Sequence, residues 1–273
     1  MSHDLSKTAV DCHFHVFEAH QARPGARYAP PYAAPMAAWQ TIAGPLGVRR
    51  GVLVQTSFMG IDNRGLLAHL AAQPQALRGV AVLPPTVGPS RLCELNEAGV
   101  RGLRLNLVGT AHDLSDWPAP GTSFWDALRL LGWHLELHTD LGRLPPVLAQ
   151  LPPQVPLVID HMGKPERVSA QDATVRAVRA RGAPVHVKLS GAYRLQGRDP
   201  GALARLWLGE LGPDRLLWGS DWPCTNHEAQ ADYPALFASL ADWLRDDAAV
   251  QAARVANPAR LYWGAEAVPA GWP

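Results

Sequence analysis

Residues 9–16 read Ala-Val-Asp-Cys-His-Phe-His-Val, a short β-rich run that closes on two histidines two positions apart. An open doubly wound sheet places a glycine-rich phosphate turn after its first strand, and none follows here. Seven further runs of the same flavour come later, at 51–57, 77–83, 100–107, 133–139, 155–161, 185–190 and 216–221. Each is rich in valine, leucine and isoleucine over a few residues, the pattern of strands buried in a parallel sheet. Helix-compatible stretches separate them at 64–73, 90–98, 123–131, 170–180, 201–211 and 233–244. Eight strands alternating with helices within 273 residues predict an α/β fold, a single-domain (β/α)8 TIM barrel over 1–273.

Hydrophobic residues make up 47% of the chain and charged residues 18%, enough for a sizeable core and against general disorder. Twenty-five Lys and Arg against 24 Asp and Glu leave a formal charge of +1. That balance gives no electrostatic basis for nucleic acid or an anionic membrane as the main partner. Cys12, Cys93 and Cys224 form no CxxC and cannot all pair, which argues for a reducing cytoplasm. No signal-like apolar run follows the start, and no stretch approaches the ~20 apolar residues of a membrane span. A soluble cytoplasmic protein acting on a small molecule is expected.

Two segments depart from the pattern. Residues 18–45 hold many Pro, Ala and Gly residues with Tyr28, Tyr32 and Trp39. They are too long and irregular for an ordinary barrel loop, so a lid or side-wall insertion is expected there. Residues 109–121 have the same loop character, and the tail after Trp263 is expected to lie frayed or on the surface.

Catalytic groups of such barrels stand at the C-terminal ends of the strands, and the polar residues of this chain collect there. By the two-residue period, Asp11, His13 and His15 share one face of the first strand, and Cys12, Phe14 and Val16 the other. Two imidazoles so spaced suit a metal ion or an anionic substrate; alone, they equally suit a polar strand end with satisfied histidines. His134, Glu136 and His138 alternate on the fifth run, with His138 nearest its end. The sixth closes on Asp160-His161-Met162-Gly163-Lys164-Pro165, and the eighth on Trp218-Gly219-Ser220-Asp221-Trp222-Pro223. A carboxylate between tryptophans is costly to bury unless paired, hydrogen-bonded or bound to a cation. Arg104 and Asn106 share a face of the fourth run, and His186, Lys188 and Ser190 alternate along the seventh. Lys188 is expected either to contact substrate or to pair with a carboxylate inside the barrel. Gln55 and Ser57 are candidate pocket residues, Trp39 and Trp222 candidate walls, and Cys224 a pocket-lining thiol with no mark of a nucleophile.

The strings DCHFHVF, LELH, VIDHMGKP, VKLSG and LLWGSDWP, then NPARLYWG, resemble in order the strand-end motifs of the amidohydrolase superfamily. The likeness spans nearly the whole chain and points to the amidohydrolase-2 branch, which includes pyrone-dicarboxylate and sugar lactonases. It implies that His13, His15 and His138 ligate metal, and that His161 binds metal or polarises the substrate carbonyl. It implies further that Asp221 ligates metal and is the general base that activates water. The metal stays open: one divalent ion, zinc or manganese, or a metal-independent site in which histidines and arginines polarise the lactone.

Arg104 is similar to an arginine of that branch that grips a substrate carboxylate. The second arginine of the pattern, six residues on, is Thr110 here, and Lys164 stands where a further arginine is expected. Arginine forks a carboxylate in a way that threonine and lysine cannot. This argues against the pyrone dicarboxylate itself and for a smaller acid, or a sugar-derived lactone with one anionic or hydroxylated end. Arg104, Asn106, Lys164, Lys188 and Trp222 form the expected substrate-binding set. The implied activity is hydrolysis of a small lactone, and since relatives are often dimers, a homodimer. The rivals are decarboxylation of an unsaturated acid on the same fold and a catalytically silent barrel that binds a sugar acid or a metal. A silent protein needs no water-activating base, so Asp221 with the histidines argues against the latter.

Overall fold

All eight predicted runs form strands in the computed structural model, which describes residues 8–230 and 232–264. They are β1 (Ala9–Phe14), β2 (Val48–Val54), β3 (Leu77–Ala81), β4 (Val100–Asn106), β5 (His134–His138), β6 (Leu157–Ile159), β7 (Val185–Leu189) and β8 (Leu216–Trp218). Each pairs in parallel with the next in chain order, giving an eight-stranded (β/α)8 barrel. The helices are α1 (Met36–Ala43), α2 (Arg64–Ala72), α3 (Pro89–Glu97), α4 (Ser123–Leu130), α5 (Leu144–Leu148), α6 (Ala173–Arg179), α7 (Pro200–Leu211), α8 (Tyr233–Leu244) and α9 (Asp247–Gln251). Asp172, Asp199, Asp232 and Asp246 start four of them by accepting a backbone N–H, satisfying donors that a helix leaves open. Among the described residues no helix is long and apolar enough to cross a membrane. The predicted frayed tail beyond residue 264 lies outside the described residues.

Strand alternation separates two cores. Val10, Cys12, Val52, Val54, Val80, Val158 and Leu217 fill the barrel with Tyr262, whereas Phe14, Leu53, Leu103, Leu135 and Trp218 pack into the larger cluster shared with the helices. On β1 the simple period fails. Its pairing with β2 shifts register between Asp11 and Phe14, an extra residue that lets neighbours change sides. Asp11 therefore does not share a face with His13 and His15. It turns towards the helical shell and accepts hydrogen bonds from Trp39 Nε1 (3.1 Å), Ser220 Oγ (2.6 Å) and Tyr233 OH (3.0 Å).

Two further expectations change. Within 18–45, residues Met36–Ala43 are the first barrel helix, so only the preceding stretch is an excursion. Trp39 does not line the cavity beside the site; it is buried on α1 and stacks on Phe14 with ring centroids 4.1 Å apart. β6 and β8 are also shorter than predicted, because His161, Met162, Gly163, Lys164 and Asp221 all adopt positive φ and end the strands.

The barrel closes through its own site. Among the described residues no ladder joins β8 to β1; Asp221 N–H donates to His13 O (2.7 Å) and His15 N–H to Trp222 O (2.8 Å). Gly219 permits this approach, since a Cβ there would lie 2.7 Å from His13 Cβ and 3.0 Å from its backbone nitrogen. Gly219→Ala is expected to force the seam apart at a cost of about 1–3 kcal/mol, read as a lowered thermal midpoint together with lost activity. An unchanged midpoint would show that the seam yields freely.

Candidate active site

Asp221 is the hub. Its Oδ2 accepts from Arg194 Nε (2.7 Å) and Tyr193 OH (2.8 Å). Its Oδ1 faces His15 Nε2 at 3.4 Å and His13 Nε2 at 3.6 Å, and His161 Nε2 lies 3.9 Å from Oδ2. Three imidazoles from β1 and the turn after β6 thus converge on the carboxylate that follows β8. Burial alone would raise the Asp221 carboxyl, but Arg194 and the surrounding histidines overcome it and hold it well below the usual carboxylate range.

Beneath this layer a charged network fills the barrel. Lys188 Nζ, fully buried, reaches Glu136 Oε2 at 2.5 Å, Asp160 Oδ1 at 3.4 Å and His13 Nδ1 at 3.0 Å. Arg104 adds a second cation, 3.7 Å from Glu136 and 3.5 Å from Asp160. Of the two expectations for Lys188, the structure shows the carboxylate pairing. His134 packs against Gly102, where a Cβ would sit 2.5 Å from its Nε2.

Burial lowers the ring pKa of His134, His138 and His186, the last to about 3. Each is neutral when folded at pH 7. Below the unfolded histidine value of about 6.5 the unfolded chain binds protons that the folded chain refuses, so stability is present above that pH and lost as pH falls. Unfolding free energy by urea titration is expected to drop by ~2 kcal/mol or more between pH 7.5 and 5. A flat profile would mean these rings accept protons in place.

A cavity of about 640 Å³ adjoins the site; Asp221, His13, His15 and His161 do not line it, and Arg194 and His138 connect it to them. Arg104, Asn106 and His138 line it from the strands, Ser57 and Thr110 from the loops, and Arg194 couples it directly to Asp221. Arg23 and Arg27 line its outer part, and no carboxylate lines it among the described residues. Asn106 Nδ2 donates to Ser57 Oγ (3.2 Å).

Other predicted residues lie elsewhere. Gln55 is buried and spends its amide on Gly60 O and Asp62 O. Lys164 Nζ contacts His138 Nε2 at 3.1 Å, and burial lowers the amine to about 8. Trp222 contributes its backbone to the seam and its ring to packing with the Phe17 and Phe58 cluster. Cys224 is no pocket thiol: it turns to Ser220 O (3.8 Å), and burial pushes it up to about 12.

Sequence reasoning missed Tyr193 and Arg194, the two residues that grip Asp221. They follow VKLSG, whose Gly191 (φ 59) turns the chain back over the mouth; a Cβ there would meet His161 Nδ1 at 2.6 Å. That glycine was the available signal.

The donor set fits a divalent cation. His15 Nδ1 lies 2.7 Å from Val54 O, an acceptor only, so the ring donates there and leaves a lone pair on Nε2. His13 Nε2 is buried without a hydrogen-bond partner among the described residues. Ligand atoms of His13, His15 and Asp221 lie within 4.8 Å of one another, as do those of His13, Asp160 and His161. His138 joins neither trio. Nitrogen and carboxylate donors of this kind suit zinc or manganese without selecting between them.

Barrel and site together define a class: the model of the amidohydrolase family matches residues 10–263, and the chain belongs to that family. It is similar to a 2-pyrone-4,6-dicarboxylate hydrolase of Comamonas testosteroni, with 31% identity over 96% of this chain and 92% of the relative. A 4-sulfomuconolactone hydrolase of Rhizobium radiobacter is 30% identical over the same shares, 96% and 92%. Among solved structures, a candidate 2-pyrone-4,6-dicarboxylic acid hydrolase from Pseudomonas putida superposes with a TM-score of 0.81. It is 35% identical, covering 96% of this chain and 99% of that one.

Proposed function

We propose that this chain is a lactone hydrolase that opens a small cyclic ester, bearing an anionic substituent, with water. One observation carries the reading: Asp221 Oδ1 and the imidazoles of His13, His15 and His161 meet behind a cavity whose charged lining holds four arginines and, among the described residues, no carboxylate. The names of the curated relatives, hydrolases of anionic lactones, support it.

Tyr193 and Arg194 occupy Asp221 Oδ2, which leaves Oδ1 to orient a water and take its proton as the oxygen attacks the acyl carbon. A carboxylate held so low is a weak base. A divalent ion held by His13, His15 and Asp221, with His161 beside them, would supply the missing drive by making water more acidic and drawing charge from the acyl oxygen. Arg194 stands beside Asp221, and Lys164 lies close behind His138. These fixed positive groups stabilise the negative charge that gathers as the carbon becomes tetrahedral. Asp221 then returns the proton to the ring oxygen, and the hydroxy acid leaves. Arg104 and Asn106 orient the ring from the inner end of the cavity.

The test is elemental analysis of protein purified without chelator, then a pH-indicator screen over lactones with and without added zinc or manganese. A carbon dioxide assay runs beside it. Acid release without carbon dioxide is expected. Evolution of carbon dioxide would replace the reading with decarboxylation, and inertness towards every lactone in all metal conditions would overturn it.

A further inference from the structure

We infer that Arg27 is a specificity-determining residue, supplying from the opposite wall the outer cation that Thr110 does not. The inference rests on the lactone reading and names its substrate more closely: a ring with an anionic group at the cavity's outer end.

Thr110 offers little to a substrate. Its hydroxyl donates to Leu107 O (2.8 Å), within its own turn. The neighbouring Gly109 has φ +68, and a Cβ there would lie 2.7 Å from Arg27 Nη1. The guanidinium of Arg27 thus lies against the backbone beside Thr110, having crossed from the segment between β1 and α1, and it lines the cavity. Gly109 N–H donates to Asp140 Oδ2 (2.7 Å), which fixes that loop.

The segment carrying Arg27 is itself held. Phe17 and Ala34 exchange backbone bonds (3.1 and 2.8 Å), and Arg23 N–H donates to Phe58 O (2.8 Å). Tyr28 and Tyr32 both donate to Glu228 Oε1, at 2.9 and 2.5 Å, tying the segment to the loop after β8. Phe17 packs edge-on against Phe58 at 5.0 Å. An arginine on an anchored strap loses less freedom on binding than one on a loose loop, so more of its attraction reaches the ligand.

Charge points the same way. The Arg27 side chain has no ion pair or hydrogen bond among the described residues, so its five donors face the cavity and solvent. Arg104, deeper in, is shared with Glu136 and Asp160, so it is the planar fork of Arg27 that matches a carboxylate or sulfonate.

The experiment compares steady-state kcat/KM for γ-butyrolactone and for the same ring carrying a carboxylate beside its ring oxygen. Arg27→Gln is expected to lower the ratio of charged over neutral substrate by about tenfold. Arg49→Gln, which removes an exposed charge outside the cavity lining, should change the ratio less than twofold. Thr110→Arg in the Arg27→Gln background should restore it, because the cation returns from the other wall. Equal losses on both rings, or an unchanged ratio, would overturn the inference while leaving lactone hydrolysis standing. Wild type inert on every lactone removes the reading beneath both.

Discussion

Asp221→Asn is expected to fold as wild type and to turn over about a thousandfold more slowly, or worse. The substitution keeps shape and backbone: φ at this position is 61°, a region that asparagine tolerates as well as aspartate. The amide oxygen can still accept from Tyr193 and Arg194, which places the NH2 where Oδ1 now faces His13 and His15. A donor then stands where the chemistry needs a proton acceptor, and where a cation needs a negative ligand. Circular dichroism and a thermal midpoint within a few degrees of wild type would establish the fold, and kcat would report the loss. Turnover within tenfold of wild type would remove Asp221 from the reaction.

Lys188→Met is expected to destabilise the protein by about 3–5 kcal/mol, because it strips a cation from two buried carboxylates. Glu136 and Asp160 are both fully enclosed, and Lys188 stands 2.5 Å from the first and 3.4 Å from the second. Burial and mutual repulsion press the Glu136 carboxyl upwards, and Lys188 is the leading influence that brings it below its ordinary value. Arg104, at 3.5 Å or more, cannot carry both charges alone. Methionine matches the stem of lysine in volume, so packing is nearly preserved and the loss is electrostatic. Adding Glu136→Gln should return a large part of the stability, since the unpaired charge leaves with it. The measurement is urea unfolding of the two single variants and the double variant. Additive losses would mean that the lysine stabilises the barrel by packing alone.

The sequence exposed a good deal of the site. His13, His15, His161 and Asp221 were legible because parallel strands of valine and leucine repeat on a fixed rhythm and these residues fall where the first, sixth and eighth strands stop, whereas Glu136 and Lys188 sit inside theirs. Partners were harder to read. Arg194 grips Asp221 from 27 residues away in the chain and Lys188 reaches His13 across 175, and neither distance leaves a periodic trace. Trp39 looked like a pocket wall because an aromatic in a Pro-rich stretch carries no mark of direction; only the path of α1 turned it onto Phe14.

What the chain alone determined is therefore the local grammar: eight buried strands, their order, and the chemical types at their ends. The three-dimensional arrangement decided which of those groups meet. A single shifted residue on β1 sent Asp11 to the helical shell while His13 and His15 stayed in the mouth. Loop paths brought Arg27 against Gly109 and Arg194 onto Asp221. Side-chain alternation is set by neighbours along the backbone, whereas contact across a barrel depends on register and on loop geometry, and one residue of slip exchanges inside for outside.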